Sequence, residues 1–211
     1  MSEYSNLTDA ILTGDTKRAV ALTQQSLDAG MDPQELVVKS MIPAMDEVGR
    51  RFEVGECFVP ELLISARAMK SALKLIRPLL EARGSEPVGR VVIGTVRGDL
   101  HDIGKNLVAS MLEGAGFDVI DLGVDVAPER FAQEALAKRV ELVALSALLT
   151  TTRPFMRDTI EELERAGGRG QVRVLVGGAP VTQRFASEIG ADGYADNANG
   201  AVALARRLVT A

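Results

Sequence analysis

The sequence contains no tryptophan, a single cysteine and a single histidine among its 211 residues. With one cysteine, Cys57, the chain cannot form an internal disulfide. One histidine and one cysteine are also too few for a zinc site of the usual kind, which draws about four ligands from such side chains. Any metal in this protein must therefore arrive inside a cofactor.

The sequence also lacks long apolar runs and any excess of basic residues. No stretch of about 18 uninterrupted apolar residues is present, and the N-terminus "MSEYSNLTDA" lacks the order of a signal peptide. A cytoplasmic location without a membrane partner is therefore expected. The formal net charge is −5, and residues 1–88 and 89–211 each hold more acidic than basic side chains. Because nucleic-acid binders gather basic residues into a patch, this composition disfavours DNA or RNA as a partner.

The pattern up to residue 85 is helical. Gly14 and Gly30 each end one helical segment before the next, and Asp32 begins a capping box. An apolar stripe with spacings of three and four residues then extends along residues 62–80. The pattern predicts a bundle of four helices, at residues 4–13, 15–29, 32–51 and 59–82. Pro43 and Pro78 predict a kink in the third and fourth helices.

A polar segment, "ARGSEPVGR" at residues 82–90, separates this pattern from a different one. It predicts a boundary between a helical domain at 1–85 and a second domain at 89–211. Beyond it, helical stretches alternate with apolar runs, which are "VVIGTV" from 91, "FDVIDLG" from 117, "VELVALSALL" from 140, "VRVLVGG" from 172 and "GYA" from 193. This alternation predicts a five-stranded, doubly wound parallel sheet of the flavodoxin or Rossmann-like class.

Three polar or glycine-rich segments come at the ends of predicted strands. "RGDLHDIGK" follows the first strand, "SALLTTT" ends the third, and "GGAP" ends the fourth. In a doubly wound sheet, ligands bind at the carboxyl ends of the strands. The three segments are therefore expected at one edge of the sheet.

The glycines and lysine of "GDLHDIGKN" invite interpretation as a phosphate-binding loop, but the spacing is wrong. Five residues separate the glycines where the loop needs four, and asparagine follows the lysine instead of serine or threonine. Asp99 and Asp102 would also place negative charge beside phosphates. A dinucleotide fingerprint is absent as well, because "GTVRGD" lacks the required glycine spacing.

His101 alone allows several interpretations. It could be a satisfied loop histidine, a catalytic base or a metal ligand. A catalytic triad with Ser146 is disfavoured, since that serine lacks the G-x-S-x-G turn that would expose it. A ligating imidazole usually donates its other N–H to a carboxylate, and Asp99 lies two residues away. Taken by itself, the histidine leaves the structural and metal-ligand interpretations both open.

Three motifs taken together resemble the corrinoid, or vitamin B12, binding proteins of cobalamin-dependent methyl transfer, relatives of the cobalamin region of methionine synthase. The family's pattern is D-x-H-x-x-G, then S-x-L, then G-G. With 41 and then 28 residues between its pieces, the chain matches this pattern at Asp99, His101, Gly104, Ser146, Leu148, Gly177 and Gly178. The segment "MDEVGRRFEVGECFVPELLISARAM" resembles the helical cap module of the methyl-transferring branch. The resemblance therefore covers nearly the whole chain.

This resemblance implies that cobalamin is the cofactor and that His101 is its lower cobalt ligand, replacing the cofactor's dimethylbenzimidazole. Asp99 would hold the far side of the imidazole, and Ser146 would extend this proton relay. Leu148, Gly177 and Gly178 would line the slot for the displaced nucleotide tail. Further contacts with the corrin or its tail are implied for Gly98, Asp102, Gly104, Thr150, Tyr194 and Ala195, with Phe58 and Val59 covering the upper face.

The resemblance also implies a function as a methyl carrier that is not catalytic alone. Its partners would be a substrate-specific methyltransferase and an acceptor methyltransferase, both barrel-shaped, together with a corrinoid-reducing activase. A B12-sensing regulator is one alternative, but such regulators carry a tryptophan and an additional histidine on the bundle. The small subunit of an adenosylcobalamin mutase is another, although it is not expected to carry this helical module.

Overall fold

The structure, a computed structural model, describes residues 3–83 and 87–210. It divides into two units, one built from the chain up to Pro87 with Glu113–Gly116, the other from Val88–Leu112 and the chain from Phe117 onward. Residues 84–86, within the predicted boundary segment at 82–90, lie outside the described part. The domain limits at residues 85 and 89 therefore stay a prediction.

The first unit is helical, as the apolar stripe predicts. Its helices are α1 (Glu3–Leu12), α2 (Thr16–Asp28), α3 (Pro33–Leu36), α4 (Ile42–Glu53) and α5 (Val59–Ala82), with a π-helical turn at Val37–Met41 between α3 and α4. The carboxylate of Asp32 accepts the N–H groups of Gln34 and Glu35 at 2.8 and 3.2 Å, which caps α3. Leu7, Leu36 and Leu62 are fully buried in this unit.

The third predicted helix, 32–51, is not a uniform α-helix. The π-helical turn Val37–Met41 interrupts it just before Pro43. Proline has no N–H for the carbonyl four residues earlier, and its ring crowds that carbonyl. A wider turn accommodates this local mismatch within a continuous helical run. Pro78 lies inside α5, and the kink expected there stays a prediction.

The second unit contains the predicted parallel sheet. Its strands are β1 (Arg90–Thr95), β2 (Asp118–Asp121), β3 (Leu142–Ser146), β4 (Arg173–Gly177) and β5 (Gly193–Ala195), in the order β2-β1-β3-β4-β5. Helices α6 (Ile103–Gly114), α7 (Pro128–Lys138), α8 (Phe155–Arg165), α9 (Gln183–Glu188) and α10 (Ala198–Thr210) alternate with them. All neighbouring strands are parallel, which confirms the predicted fold class.

The central strands are buried along most of their length, as strands covered on both faces are. Phe131, Met156 and Val174 are fully buried in the core beside the sheet. Burying one large apolar side chain contributes about 1.5–3 kcal/mol. Within the described ranges, no helix is both long and apolar enough to cross a bilayer.

The pairing register aligns the carboxyl ends of three strands. Thr95 of β1 pairs with Ser146 of β3, and Ser146 pairs with Gly177 of β4. The loops that follow, at residues 96–102, 147–154 and 178–182, therefore begin at the same edge of the sheet. This is the edge at which doubly wound proteins bind ligands.

Candidate functional site

Asp99 is a fully buried carboxylate in the loop between β1 and α6. The turn that leads to it closes with a hydrogen bond from the Asp99 N–H to the carbonyl of Val96 at 3.1 Å. Gly98, the third residue of this turn, has a φ of +76°. Only glycine adopts that conformation readily, so the local sequence determines how the chain enters the loop.

His101 is bound directly to this carboxylate. Its Nδ1 lies 2.7 Å from Oδ1 of Asp99, and its backbone N–H donates to the same oxygen at 3.1 Å. An ionised carboxylate only accepts hydrogen bonds, so we assign the ring proton to Nδ1, which leaves the lone pair on Nε2. The side chain is 50% exposed. The imidazole is therefore oriented on one side and accessible to a ligand on the other.

The second oxygen of Asp99 is held by the loop after β3. Its Oδ2 accepts the hydroxyl of Thr152 at 2.6 Å and the N–H groups of Leu148 and Leu149 at 2.8 and 3.3 Å. Burial raises the pKa of Asp99, but the hydrogen bonds from Thr152, Leu148 and His101 outweigh it and hold the pKa well below its usual range. Asp99 is consequently ionised at neutral pH.

Thr152 is a site residue that the sequence did not reveal. Among the residues that the structure describes, its hydroxyl is the one that donates to Asp99. The backbone carbonyl of Ser146 accepts the N–H of Val96 at 3.0 Å, and the relay through its hydroxyl stays a prediction. The available signal was the run "LLTTT", which offers three threonines but not the loop conformation that selects one of them.

Exposed apolar side chains are concentrated in the loop after β1, at the start of α6 and in the loop after β3. Of the exposed large apolar residues described in the second unit, four are Leu100, Ile103, Leu148 and Leu149, and the fifth, Val88, lies before β1. Leu100 and Ile103 are 71% and 79% exposed. Contiguous exposed apolar surface usually marks a binding site. Of these residues, sequence reasoning had identified Leu148 alone.

Gly177, the last residue of β4, and Gly178, which follows it, have a packing reason for lacking side chains. At Gly178, where φ is +124°, an added Cβ would lie 2.0 Å from the carbonyl oxygen of Ala147. At Gly177 it would lie 3.0 Å from the carbonyl oxygen of Ala195. Gly104 differs, since a Cβ there meets no atom within 4 Å. Space beside Gly104 is therefore open to a ligand.

Other residues of the predicted site lie at the same edge or close to it. The carboxylate of Asp102 accepts the side-chain N–H of Asn106 at 3.0 Å, and Thr150 is exposed in the loop after β3. Tyr194 and Ala195 lie on β5, where Ala195 pairs with Gly177. These residues therefore lie near the site, and a contact with the ligand stays a prediction for each of them.

Phe58 and Val59, predicted to cover the upper face of the corrin, belong to the first unit. Phe58 is 66% exposed, and its backbone N–H donates to Glu61 at 2.6 Å. Val59 begins α5. Their role as a cover stays a prediction.

Lys105, which first suggested a phosphate site, is already satisfied within the protein. It is buried, and its Nζ lies 2.6 and 2.7 Å from the two carboxylate oxygens of Asp121 and 2.6 Å from Oδ1 of Asn106. Three acceptors match the three N–H groups of an ammonium. This lysine anchors the first turn of α6 to the end of β2.

Comparison with known protein families gives two matches. Profiles described as a B12 binding domain match residues 89–203 and residues 4–77. Among curated proteins, trimethylamine corrinoid protein 1 of Methanosarcina acetivorans is 45% identical, over 95% of this chain and 94% of that protein. The trimethylamine corrinoid protein of Methanosarcina barkeri is 47% identical, over 92% of this chain and 91% of its own length.

Solved structures show the same similarity. A chain of the methanol:cobalamin methyltransferase complex from Methanosarcina barkeri matches with a TM-score of 0.87 and 29% identity, over 99% of this chain and 80% of that chain. A cobalamin-binding protein from Desulfitobacterium hafniense matches with a TM-score of 0.78 and 31% identity, over 99% of both chains.

Proposed function

Because this chain belongs to the family of B12-binding corrinoid proteins, we propose that His101 binds the cobalt of its cobalamin as the lower axial ligand, in place of dimethylbenzimidazole. Cobalamin is the cofactor, and methyl carriage within a methyltransferase system is the role. The observation that carries the proposal is the 2.7 Å contact between Nδ1 of His101 and the buried carboxylate of Asp99. That contact leaves Nε2 as the nitrogen with a lone pair.

The residues at this edge fit the proposed ligand. The exposed apolar side chains of Leu100, Ile103, Leu148 and Leu149 suit the apolar parts of a corrin. The open space beside Gly104 allows close approach of a ligand to the backbone. Gly98, Asp102, Thr150, Gly177, Gly178, Tyr194 and Ala195 remain proposed contacts of the corrin or its nucleotide tail.

When bound, cobalamin supplies the cobalt on which a methyl group is carried. The chain's own part is to orient and tune the ligand. Asp99 keeps the proton on Nδ1 of His101, which makes Nε2 a better donor. Thr152 and the N–H groups of Leu148 and Leu149 keep Asp99 ionised, so the carboxylate holds the ring proton on Nδ1 of His101.

We further propose that a substrate-specific methyltransferase loads the methyl group and that an acceptor methyltransferase removes it. The similarity to a chain of a methyltransferase complex supports such partners. Barrel-shaped folds for these enzymes, and a corrinoid-reducing activase, are part of the proposal. Methylated amines are the first donors to assay, because the named relatives are trimethylamine corrinoid proteins.

The test reconstitutes the protein with cobalamin, reduces it, and adds a methylamine methyltransferase with tri-, di- or monomethylamine. We expect the absorption spectrum to report methylation of the cofactor, and we expect a second methyltransferase, supplied with a methyl acceptor, to remove the methyl group. Omitting the amine is the control. If none of the three methylated amines loads the protein while a related corrinoid protein is loaded in parallel, methylated amines are excluded as its donors.

Replacing Asp99 with asparagine should raise the dissociation constant for cobalamin about 10- to 100-fold. The amide cannot offer acceptors to both His101 and the donors of the β3 loop, because one of its two ends is an NH₂ group. Isothermal titration calorimetry measures this dissociation constant. Asp158→Asn, in the first turn of α8, is the matched control and should bind normally; equal affinities in the two variants would contradict the assignment of Asp99.

Comparison of the wild-type protein with Asp99→Asn also tests how the stability of the fold depends on pH. Since the pKa of Asp99 is lowered in the folded protein, its ionised form stabilises the fold above the unfolded pKa of about 3.9. This contribution is lost as the pH falls through the folded pKa. The stability difference between wild type and Asp99→Asn should therefore be largest near neutral pH and shrink below about pH 4 in urea titrations. A constant difference would argue against an ionised Asp99.

Replacing Thr152 with valine should destabilise the fold by about 1–2 kcal/mol and weaken cobalamin binding severalfold. Valine keeps the shape of threonine but removes the hydroxyl that donates to Asp99. Ser146→Ala is the paired variant, and we expect its effect on binding to be smaller. A larger effect from Ser146→Ala would instead favour the relay predicted from the motif.

A further inference from the structure

Asp125 has an unusual backbone conformation for a residue with a side chain. It lies in the loop between β2 and α7 with a φ of +52°. The other non-glycine residue with positive φ in the described part of the chain is Arg139, which ends α7 in a left-handed cap. A helix end accounts for Arg139. Asp125 ends no helix, so contacts must hold it in this conformation.

Those contacts lead to the loop that carries Asp99 and His101. Oδ1 of Asp125 accepts the N–H of Gly98 at 2.7 Å, and the N–H of Asp125 donates to the carbonyl oxygen of Asp99 at 3.0 Å. One residue thus binds both ends of the Gly98–Asp99 segment. The left-handed backbone is what allows its side chain and its own N–H to serve these two neighbouring groups.

The loop that holds Asp125 is itself fixed to the sheet. Beyond the end of β2, the N–H of Thr95 donates to the carbonyl of Gly123 and the N–H of Val126 donates to the carbonyl of Thr95, each at 3.0 Å. Val96 and Val126 form a further parallel bridge. These bonds extend the pairing of the sheet, so Asp125 starts from a rigid position.

We propose that Asp125 is a positioning residue for the axial histidine. It holds the Gly98–Asp99 segment so that one oxygen of Asp99 meets Nδ1 of His101 while the other meets the β3 loop. Asp125 acts through the backbone, because its hydrogen bonds within the described part of the chain join it to the main-chain N–H of Gly98 and the main-chain carbonyl of Asp99. This inference rests on the proposed ligation of cobalt by His101.

Three variants separate the effect of the Asp125 carboxylate from the effect of the left-handed backbone at this residue. Asp125→Gly keeps the left-handed conformation and removes the acceptor for Gly98. Asp125→Asn keeps both an acceptor oxygen and tolerance of positive φ. Arg139→Gly is the matched control, because it also replaces a non-glycine residue at φ +52° but lies at the end of α7.

The single histidine makes the readout specific. Protein labelled with ¹⁵N-histidine and loaded with cob(II)alamin should show a ¹⁵N doublet on the cobalt lines in electron paramagnetic resonance. We expect Asp125→Gly to lose most of this splitting and to bind cobalamin about three- to tenfold more weakly, near the low end for groups that orient metal ligands. Asp125→Asn and Arg139→Gly should match wild type.

A second measurement needs no cobalamin. In the labelled apo protein, ¹⁵N shifts should report the Nδ1-protonated ring, and Asp125→Gly should move it towards a mixture of tautomers. Full splitting, affinity within about twofold of wild type and an unchanged tautomer in Asp125→Gly would overturn the positioning role while leaving ligation intact. A wild-type spectrum without histidine splitting, identical to that of His101→Ala, would overturn ligation and this inference with it.

Discussion

Replacing His101 with alanine should abolish nitrogen ligation of the cobalt and weaken cobalamin binding by about 100-fold or more, beyond what changes behind a ligand cause. The chain has no other histidine to substitute for it. Electron paramagnetic resonance of the cob(II)alamin form and titration with cobalamin measure the two effects. An unchanged spectrum and affinity would exclude His101 as the ligand.

The fold should survive this substitution, which makes the experiment interpretable. The ring is half exposed, and surface changes usually alter stability by no more than about 0.5 kcal/mol. Loss of the ring's bond to the ionised Asp99 adds about 1.5–3 kcal/mol, which a domain of ordinary stability tolerates. Adding free imidazole provides a rescue, because it can occupy the space of the missing ring. Recovery of nitrogen splitting with ¹⁵N-imidazole would show that the defect is the missing ligand and not a misfolded loop.

Replacing Gly178 with alanine should destabilise the protein by more than about 3 kcal/mol. The new Cβ would lie 2.0 Å from the carbonyl oxygen of Ala147, and the φ of +124° is unfavourable for any side chain. A backbone carbonyl cannot move aside as a flexible side chain does. Urea or thermal unfolding measures the loss.

Gly190→Ala isolates the conformational part of this cost. Its φ is +74°, and a Cβ there meets no atom within 4 Å, so the expected loss is about 1–2 kcal/mol. Gly104→Ala tests whether the cofactor lies close to this glycine. The variant should leave stability intact and, if the cofactor approaches Gly104, weaken cobalamin binding. If Gly178→Ala costs no more than Gly190→Ala, the close approach to Ala147 is not a constraint on the fold.

These variants also distinguish two reasons why a glycine can belong to a family motif. Gly178 satisfies a packing requirement between the loops after β3 and β4. Gly104 meets no such requirement in the structure, and a contact with the cofactor at this position stays a prediction that Gly104→Ala tests. The motif itself does not separate these cases, because both glycines are equally visible in the sequence.

The amino-acid sequence by itself determined the architecture of the second unit and the central pair of the site. Buried parallel strands need uninterrupted apolar runs, and these runs predicted all five strands in their order along the chain. Asp99 and His101 lie two residues apart, so one short loop suffices to join them. The helical first unit also followed from local patterns, apart from the π-helical turn before Pro43, where ring crowding altered the helix.

Only the tertiary structure decided which distant groups complete that pair. The bond from Thr152 to Asp99 spans 53 residues, and the bond from Gly98 to Asp125 spans 27. Their partners are selected by loop conformations after β2 and β3, which depend on the register of the sheet and not on local propensity. For the same reason the motif named Ser146, whose relay role stays a prediction, but not Thr152, whose hydroxyl folding brings to the buried carboxylate.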